Sequence, residues 1–291
     1  MLMIARTVRD IKSLKIQGAT NIAIAAAAAL KSLSTKKYYS TAAFKSDLSK
    51  AVFDLVSARP TEPALRNAIR FVIKLRESSV PEMQYALSKN VDAFIRKQHE
   101  TKQKTVVNLA NSVKPGSTIF THCHSSTVTA GLILASKTKK FKVICTETRP
   151  RFQGRITAQE LTSAGIDTTM IVDSAASSFL KGCSRVYVGC DAIEYDGQII
   201  NKIGTLTIAL LAKRFRVPFT VVTESYKFDP ETKKKPEPIE RRSPDEIWES
   251  KVKILNPAFD RTSPEFVAST ITEFGELSVE KLLPKLKRMY K

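Results

Sequence analysis

Glycine is scarce in this chain of 291 residues, and the positions of its ten glycines exclude several common ligand-binding motifs. No two of them have the GxGxxG spacing that lets a backbone approach a dinucleotide pyrophosphate. No glycine-rich stretch ends in Gly-Lys-Ser or Gly-Lys-Thr, so a P-loop is absent, and no GxSxG nucleophile elbow occurs. A ligand site in this chain must therefore be built in another way.

Long apolar segments and paired cysteines are also missing. No apolar run approaches the roughly 20 residues that a membrane-spanning helix needs, and residues 1–15 lack the apolar centre of a signal peptide. The four cysteines form neither a CxxC pair nor a compact zinc pattern; they are Cys123, Cys145, Cys183 and Cys190. We therefore predict a cytoplasmic protein with reduced thiols and no membrane contact.

Acidic residues are in short supply relative to basic ones. The chain has 28 Asp and Glu against 47 Lys and Arg, which gives a formal net charge of +19, while its 43% hydrophobic content is ordinary for a globular protein. The excess is spread along the whole chain. A diffuse excess is more typical of a solvated basic surface or an anionic ligand than of a nucleic-acid reader, and contact with RNA stays open as an alternative.

The first part of the chain has the apolar periodicity of helices and almost no glycine. Predicted helices run from a cap at Thr20 or Asn21 to Leu33, over residues 44–57, from Thr61 through Ile73, and over residues 83–95. We therefore predict a helical N-terminal domain over residues 1–112.

After the turn signal Lys114-Pro115-Gly116, short β-branched runs alternate with helical stretches. Predicted strands cover residues 118–122, 142–146, 169–172, 186–189 and 219–222, and predicted helices cover residues 125–137, 157–164, 175–180 and 202–215. Alternation of this kind is typical of a parallel sheet covered on both faces. The predicted fold class is α/β, with the helical domain followed by a Rossmann-like parallel sheet domain over residues 113–291.

Polar segments follow several predicted strands, where ligands bind to such sheets. In the cysteine loop, residues 121–126, a helix starting near Ser125 would favour the thiolate form of Cys123. The alternative is a buried, inert cysteine. His122 and His124 would share one strand face, but no third metal ligand is nearby in the sequence, so we do not predict a metal site.

Three further segments have the chemistry of acid–base catalysis and phosphate binding. The arginine loop, residues 146–155, carries three arginines suited to anions, and a solvated basic loop is the alternative. In the aspartate loop, residues 189–193, Asp191 follows a strand, and it suits either acid–base catalysis or a turn. Asn201 and Lys202 at a predicted helix start form a candidate phosphate site. Together these segments indicate a phosphorylated small molecule.

Several longer motifs occur in one order and spacing. They are Thr121 to Ser125, Thr146 to Gly154 (TETRPRFQG), Val172 to Ala176, Gly189 to Asp191, Asn201 to Thr205 (NKIGT), Glu224 to Phe228, Asn256 to Asp260, and, nearer the start, Ile16 to Ala19 with Arg59 to Thr61. In these motifs the chain resembles the superfamily of sugar-phosphate isomerases and initiation factor 2B regulatory subunits. Within it, the chain is most similar to the archaeal ribose-1,5-bisphosphate isomerases, and methylthioribose-1-phosphate isomerases are more distant.

The resemblance implies an intramolecular oxidoreductase that converts an aldose to a ketose, forms a homo-dimer or homo-hexamer, and needs no metal or nucleotide cofactor. It implies Cys123 and Asp191 as the catalytic pair. The substrate-binding residues that it implies are Gly18, Ala19, Arg59, Ser125, Arg149, Asn201, Lys202 and Lys227. Two departures remove cations from the implied phosphate pocket: Gln17 stands where family isomerases often carry Arg, and Ser126 where they can carry Lys.

The mechanistic hypothesis gives Asp191 the role of acid toward the ring oxygen and the Cys123 thiolate the role of base at carbon 2. A hydride shift in a dry, cationic pocket is the other possible route. The rival function is a regulatory subunit like those of initiation factor 2B, which binds translation factor 2 or RNA without catalysis. A nucleotide-phosphate sensor is a third alternative.

Overall fold

The computed structural model describes residues 2–290, which form two compact units, Met1–Glu100 and Thr101–Lys291. Helix α5 (Val80–Ser112) crosses the division between them. The predicted domain boundary at residue 112 lies at the end of α5. The boundary between the two compact units lies twelve residues earlier, after Glu100. No helix in residues 2–290 combines the length and the apolar character that crossing a bilayer requires.

The first unit is helical, as predicted. Before α5 it contains α1 (Leu2–Lys12), α2 (Ala19–Lys31), α3 (Thr41–Ala58) and α4 (Pro63–Val72). Helix α2 packs against α4, and α1 packs against α3. The packed face of α2 includes the fully buried Ala23, Ala26 and Ala27, whose small side chains let a neighbouring helix approach closely.

The start of α2 differs from the prediction. The helix begins at Ala19, so Thr20 and Asn21 lie in its first turn, and Gly18 precedes it with a φ of +81° that suits glycine. At α3, by contrast, a side chain caps the helix: Ser40 Oγ accepts a hydrogen bond of 3.1 Å from the Ala43 amide. The sequence did not predict α1, because its apolar residues are interrupted by charges.

The second unit contains a mostly parallel seven-stranded sheet, which confirms the predicted fold class. In chain order its strands are β1 (Thr118–Thr121), β2 (Lys142–Thr146), β3 (Asp167–Ile171), β4 (Arg185–Val188), β7 (Phe219–Val222), β9 (Ser269–Thr272) and β10 (Gly275–Leu277). Their order across the sheet is β10-β9-β7-β4-β1-β2-β3, and only β10 is antiparallel. The register pairs Thr121 of β1 with Cys145 of β2, so neighbouring strands end at about the same level.

Helices cover both faces of this sheet. They are α6 (Ser126–Ser136), α7 (Gly154–Ser163), α8 (Ala176–Leu180), α9 (Thr205–Phe215) and α10 (Val279–Met289). One buried cluster joins Val128, Leu132 and Leu161 to one face of the sheet, and another joins apolar residues of α8, α9 and α10 to the other face. Adjacent residues of β1 belong to different clusters, as the alternation of side chains along a strand requires.

A small antiparallel sheet lies beyond the predicted elements. It consists of β5 (Ala192–Ile193), β6 (Ile199–Lys202) and β8 (Phe259–Thr262), in the order β5-β6-β8. Asn201 and Lys202 therefore end a strand, and the prediction that they start a helix was wrong. Strand β5 has only two residues, which is too short for sequence periodicity to reveal.

Candidate active site

The ends of four adjacent parallel strands bring the predicted polar loops to one edge of the main sheet. The cysteine loop follows β1, the arginine loop follows β2, the aspartate loop follows β4, and a segment beginning at Thr223 follows β7. The strands lie in the order β7-β4-β1-β2. Since ligands bind at the carboxyl ends of such strands, this edge is the candidate active site.

Gly189 lets three segments of the site meet. A Cβ atom at this position would lie 2.8 Å from Ser125 Cβ and 3.9 Å from Asn201 Oδ1. Ser125 belongs to the cysteine loop and Asn201 to β6. These two residues occupy the space that a side chain on Gly189 would need. The structure thus brings together two of the predicted binding residues beside the aspartate loop.

Cys123 is half-buried and has a strained backbone with a φ of +65°. Its amide donates a 2.9 Å hydrogen bond to Thr148 Oγ1 in the arginine loop, which fixes this conformation. Burial raises the pKa of its thiol to about 11; the positive charge of Lys202 opposes this shift, and the negative charge of Asp191 adds to it. Helix α6 begins at Ser126 with Ser125 as its N-cap, as the sequence predicted. The pKa of the thiol nevertheless shifts away from the predicted thiolate, because desolvation outweighs the nearby positive charge.

Asp191 is half-buried at the start of the small sheet. Its amide donates a 2.9 Å hydrogen bond to the Ile200 carbonyl, which anchors the aspartate loop to β6. Within residues 2–290 its carboxylate accepts no hydrogen bond, so it is available to a ligand. Asp191 is one of the charges that act on the Cys123 thiol, and the loops of the two residues follow the adjacent strands β4 and β1.

The two histidines of the cysteine loop have separate partners. His122 Nε2 lies 2.9 Å from the Ile203 carbonyl, which can only accept, so Nδ1 accepts from the Thr146 hydroxyl at 2.6 Å. His124 Nδ1 lies 3.1 Å from Thr157 Oγ1. Burial lowers the pKa of both imidazoles. No group of three potential metal ligands occurs within residues 2–290.

The ammonium of Lys202 lies 4.9 Å from the centre of the Phe259 ring, and its positive charge acts on the Cys123 thiol. Asn201 is buried and donates from Nδ2 to Thr205 Oγ1 at 3.0 Å. The amides at the start of α9 are not free for phosphate, however. Asp260 Oδ2 accepts hydrogen bonds from the amides of Gly204 and Leu206 at 2.7 and 3.1 Å, so the predicted use of this helix end was wrong.

Lys227 is buried, and its charge is balanced within the protein. Its Nζ lies 3.0 Å from Glu224 Oε2 and donates to the Cys190 carbonyl at 2.8 Å. Glu224 also accepts a 2.6 Å hydrogen bond from Thr127 in α6. Burial opposes both charges, but their mutual attraction prevails, so the pKa of Lys227 is raised and the pKa of Glu224 is lowered.

The arginine loop does not gather its three guanidinium groups around one anion. Arg149 is exposed and donates to the Ile247 carbonyl at 3.2 Å, while Arg151 pairs with Glu246 at 3.7 Å. Arg149 and Arg155 both lie over the ring of Phe152, at 5.0 and 3.9 Å from its centre. Each arginine of the loop thus already has a partner in the protein.

Gly18, Ala19 and Arg59 belong to the unit Met1–Glu100. Arg59 is largely buried, and its Nε lies 3.9 Å from Glu62 Oε2. The participation of these three residues in substrate binding stays a prediction.

One charged residue near the cysteine loop was missed by the sequence analysis. Lys102 of α5 donates from Nζ to Ser126 Oγ at 2.9 Å. Ser126 lies 24 positions later in the sequence, and only the tertiary fold brings the two together. No local motif marked Lys102, because α5 contains several other lysines of similar sequence context.

Comparison with known proteins gives a consistent family. The model of the Initiation factor 2 subunit family matches residues 15–279. A ribose 1,5-bisphosphate isomerase of Methanocaldococcus jannaschii is 42% identical, with 94% of this chain and 91% of that protein covered. A methylthioribose-1-phosphate isomerase of Symbiobacterium thermophilum is 36% identical, covering 91% of this chain and 81% of that protein.

Among solved structures, the translation initiation factor eIF-2B of Pyrococcus horikoshii OT3 superposes with a TM-score of 0.86 at 29% identity. The match covers 96% of this chain and 98% of that one. The family match spans both units described above, including the cysteine and aspartate loops. This chain belongs to the Initiation factor 2 subunit family.

Proposed function

We propose that this protein is a sugar-phosphate isomerase that converts ribose 1,5-bisphosphate to ribulose 1,5-bisphosphate. The observation that supports the proposal is that the loops of Cys123 and Asp191 follow the adjacent strands β1 and β4, where Gly189 lies against Ser125. The relatives named as ribose 1,5-bisphosphate isomerase cover nearly the whole chain and support the same substrate. Two groups with different proton affinities at one site are what an aldose–ketose isomerisation requires.

The reaction needs an acid at the ring oxygen and a base at carbon 2, because the phosphate on the anomeric oxygen prevents simple ring opening. Asp191 in its acid form donates a proton to the ring oxygen as the bond from carbon 1 to that oxygen breaks. The Cys123 thiolate removes the proton from carbon 2, and a carbon–carbon double bond forms. The thiol then returns this proton to carbon 1, and the Asp191 carboxylate takes the proton from the carbon 2 hydroxyl as the ketone forms.

The raised pKa of Cys123 determines where the proton starts. In the substrate-free protein the side chain of Cys123 is a thiol. The proposed reaction uses its thiolate, so substrate binding has to favour loss of the thiol proton. Lys202 favours this loss because its positive charge stabilises the thiolate.

The direct test is to incubate the purified protein with ribose 1,5-bisphosphate and to follow ribulose 1,5-bisphosphate formation, with methylthioribose 1-phosphate as the comparison substrate. We expect turnover of the bisphosphate. In deuterium oxide the product should carry deuterium on carbon 1. Turnover without any such exchange would support the hydride route and contradict the proton route.

Two variants test the assignment of the pair. Cys123→Ser and Asp191→Asn should each reduce turnover by at least roughly a hundredfold, the scale of general acid–base catalysis. Both variants should keep the wild-type melting temperature and circular dichroism spectrum. A folded variant with wild-type turnover would refute the role of that residue.

A second candidate function is a non-catalytic regulatory subunit. It is favoured by the similarity to a structure named as a translation initiation factor over almost the whole chain. Under this alternative the protein would bind translation factor 2 and would turn over neither sugar phosphate. The test is co-purification with translation factor 2 alongside the isomerase assay.

A further inference from the structure

Lys102 presents a positive charge at the start of α6, next to the cysteine loop. Its ammonium donates to the neutral Ser126 hydroxyl at 2.9 Å, and within residues 2–290 it forms no ion pair with a carboxylate. An ammonium has three donors, so this hydrogen bond leaves two of them for other acceptors. Ser126 is the first residue of α6, and it directly follows the cysteine loop.

No carboxylate lies within ion-pair distance of the Lys102 ammonium in residues 2–290. Three charges act on it from further away. Glu224 and Lys227 are buried and paired with each other at 3.0 Å, so together they are neutral. Glu160 is exposed and forms no ion pair with Lys102, so the ammonium stays available to an anionic ligand. Burial lowers the pKa of Lys102 because the ammonium has lost part of its contact with water. A bound anion would compensate the ammonium for those lost interactions.

The position of Lys102 relative to the reacting groups indicates which part of a substrate it meets. Lys202 is the last residue of β6, and its neighbour Asn201 lies 3.9 Å from where a Cβ on Gly189 of the aspartate loop would be. Lys102 instead donates to Ser126, the first residue of α6. Lys202 therefore belongs to the side of the site with the aspartate loop, and Lys102 to the side formed by α6. A phosphate next to carbon 1 fits Lys202, and a phosphate remote from carbon 1 fits Lys102.

We propose that Lys102 binds the phosphate on carbon 5 of the sugar and thereby selects a bisphosphate over a 1-monophosphate. This inference rests on the proposed function for the identity of the sugar. The Ser126 hydroxyl orients the ammonium, and the Glu224–Lys227 pair holds the start of α6 through Thr127. The negative phosphate replaces the missing carboxylate partner of Lys102.

The experiment compares Lys102→Met with Lys104→Met, a matched control at an exposed position of the same helix. Dissociation constants are measured in a Cys123→Ser background, where binding is separated from turnover, for ribose 1,5-bisphosphate and ribose 1-phosphate. Loss of a charged hydrogen bond predicts that Lys102→Met weakens bisphosphate binding roughly ten- to a hundredfold. Its affinity for the monophosphate, and both affinities of Lys104→Met, should change by less than about twofold, the usual effect of a neutral surface substitution.

Lys102→Arg provides a second variant that keeps the charge. It should retain most of the bisphosphate affinity, whereas a purely structural role for Lys102 would weaken binding of both ligands together. Equal losses for the two ligands, or no loss for either, would overturn the assignment. If the parent protein fails to convert ribose 1,5-bisphosphate, the proposed function fails, and the two dissociation constants still decide the role of Lys102.

Discussion

At the scale of single residues, the Cys123 side chain combines partial exposure with an unusually weak acidity. A thiol with a pKa of about 11 has roughly a tenth of a percent of thiolate at pH 8, compared with roughly a quarter for an ordinary cysteine. Its reaction with iodoacetamide should therefore be slow at pH 8 and should rise about tenfold for each pH unit up to about pH 11. Mass spectrometry of the modified peptide measures this rate.

Cys123→Ser is the control that identifies the modified site, because the other three cysteines are buried. A modification rate at Cys123 that levels off below pH 9 would show that the thiolate is stabilised in the free protein. The sequence-based expectation of a thiolate would then be restored.

Glu224 is the second residue whose removal has a predictable consequence. Breaking a buried ion pair leaves an uncompensated charge and costs about 3–5 kcal/mol. Glu224→Gln leaves the Lys227 ammonium without its carboxylate partner. This variant should lower the free energy of unfolding at pH 7 by this amount, measured by urea denaturation. The exposed Glu249→Gln is the matched control and should change it by less than about 0.5 kcal/mol.

The pH dependence of this effect has a definite sign. The pKa of Glu224 is lower in the folded state, so folding favours its ionised form. The stabilisation is fully present above the ordinary glutamate pKa of about 4.3, and it is lost as the pH falls through the folded-state value. The difference between wild type and Glu224→Gln should therefore shrink in acid. A difference that grew in acid would contradict the pairing.

At the scale of secondary-structure elements, Gly189 is the point where the end of β4 meets the cysteine loop. An alanine Cβ there would lie 2.8 and 2.9 Å from Cβ and Oγ of Ser125. Gly189→Ala should cost about 1–3 kcal/mol, as overpacking does, and should reduce isomerase turnover because it displaces the cysteine loop. Turnover and chemical denaturation measure the two effects.

The matched control is Gly182→Ala, also next to a strand of the same sheet. Its Cβ would meet nothing closer than the Phe179 carbonyl oxygen at 3.8 Å. This variant should keep wild-type turnover and stability to within about 0.5 kcal/mol. If both glycine variants behaved alike, the close packing at Gly189 would not be what positions the loop.

The elements show which parts of the fold a sequence can reveal. Strands β2 and β7 have the predicted bounds, because each is an apolar run with turn signals at its ends. Cys123 and Asp191 were predicted as site residues because polar residues directly follow such runs, and the structure places both at strand ends. Lys102 contacts Ser126, which is 24 positions away in the sequence. Asp260 contacts Gly204 and Leu206, which are 56 and 54 positions away. No local sequence pattern encodes these contacts.

At the scale of the whole molecule, the net charge of +19 exceeds what the site accounts for. A diffuse excess predicts non-specific binding of RNA that depends on counterion release. Affinity for a random-sequence RNA oligomer should fall on the order of a thousandfold between 50 and 200 mM salt. Fluorescence anisotropy measures this. Affinity that persisted at 200 mM salt would indicate a dedicated RNA site and would favour the translation-linked alternative.

The two side chains proposed to be catalytic contribute little to the stability of the fold. The Asp191 carboxylate accepts no hydrogen bond within residues 2–290, and the loop of Cys123 is anchored by its backbone amide on Thr148. We therefore expect that one substitution at either position ends the proposed catalysis and leaves the fold intact. Loss of either side chain would therefore leave a folded protein that lacks the proposed reaction. The same scaffold can then carry either an isomerase or a binding protein without catalysis.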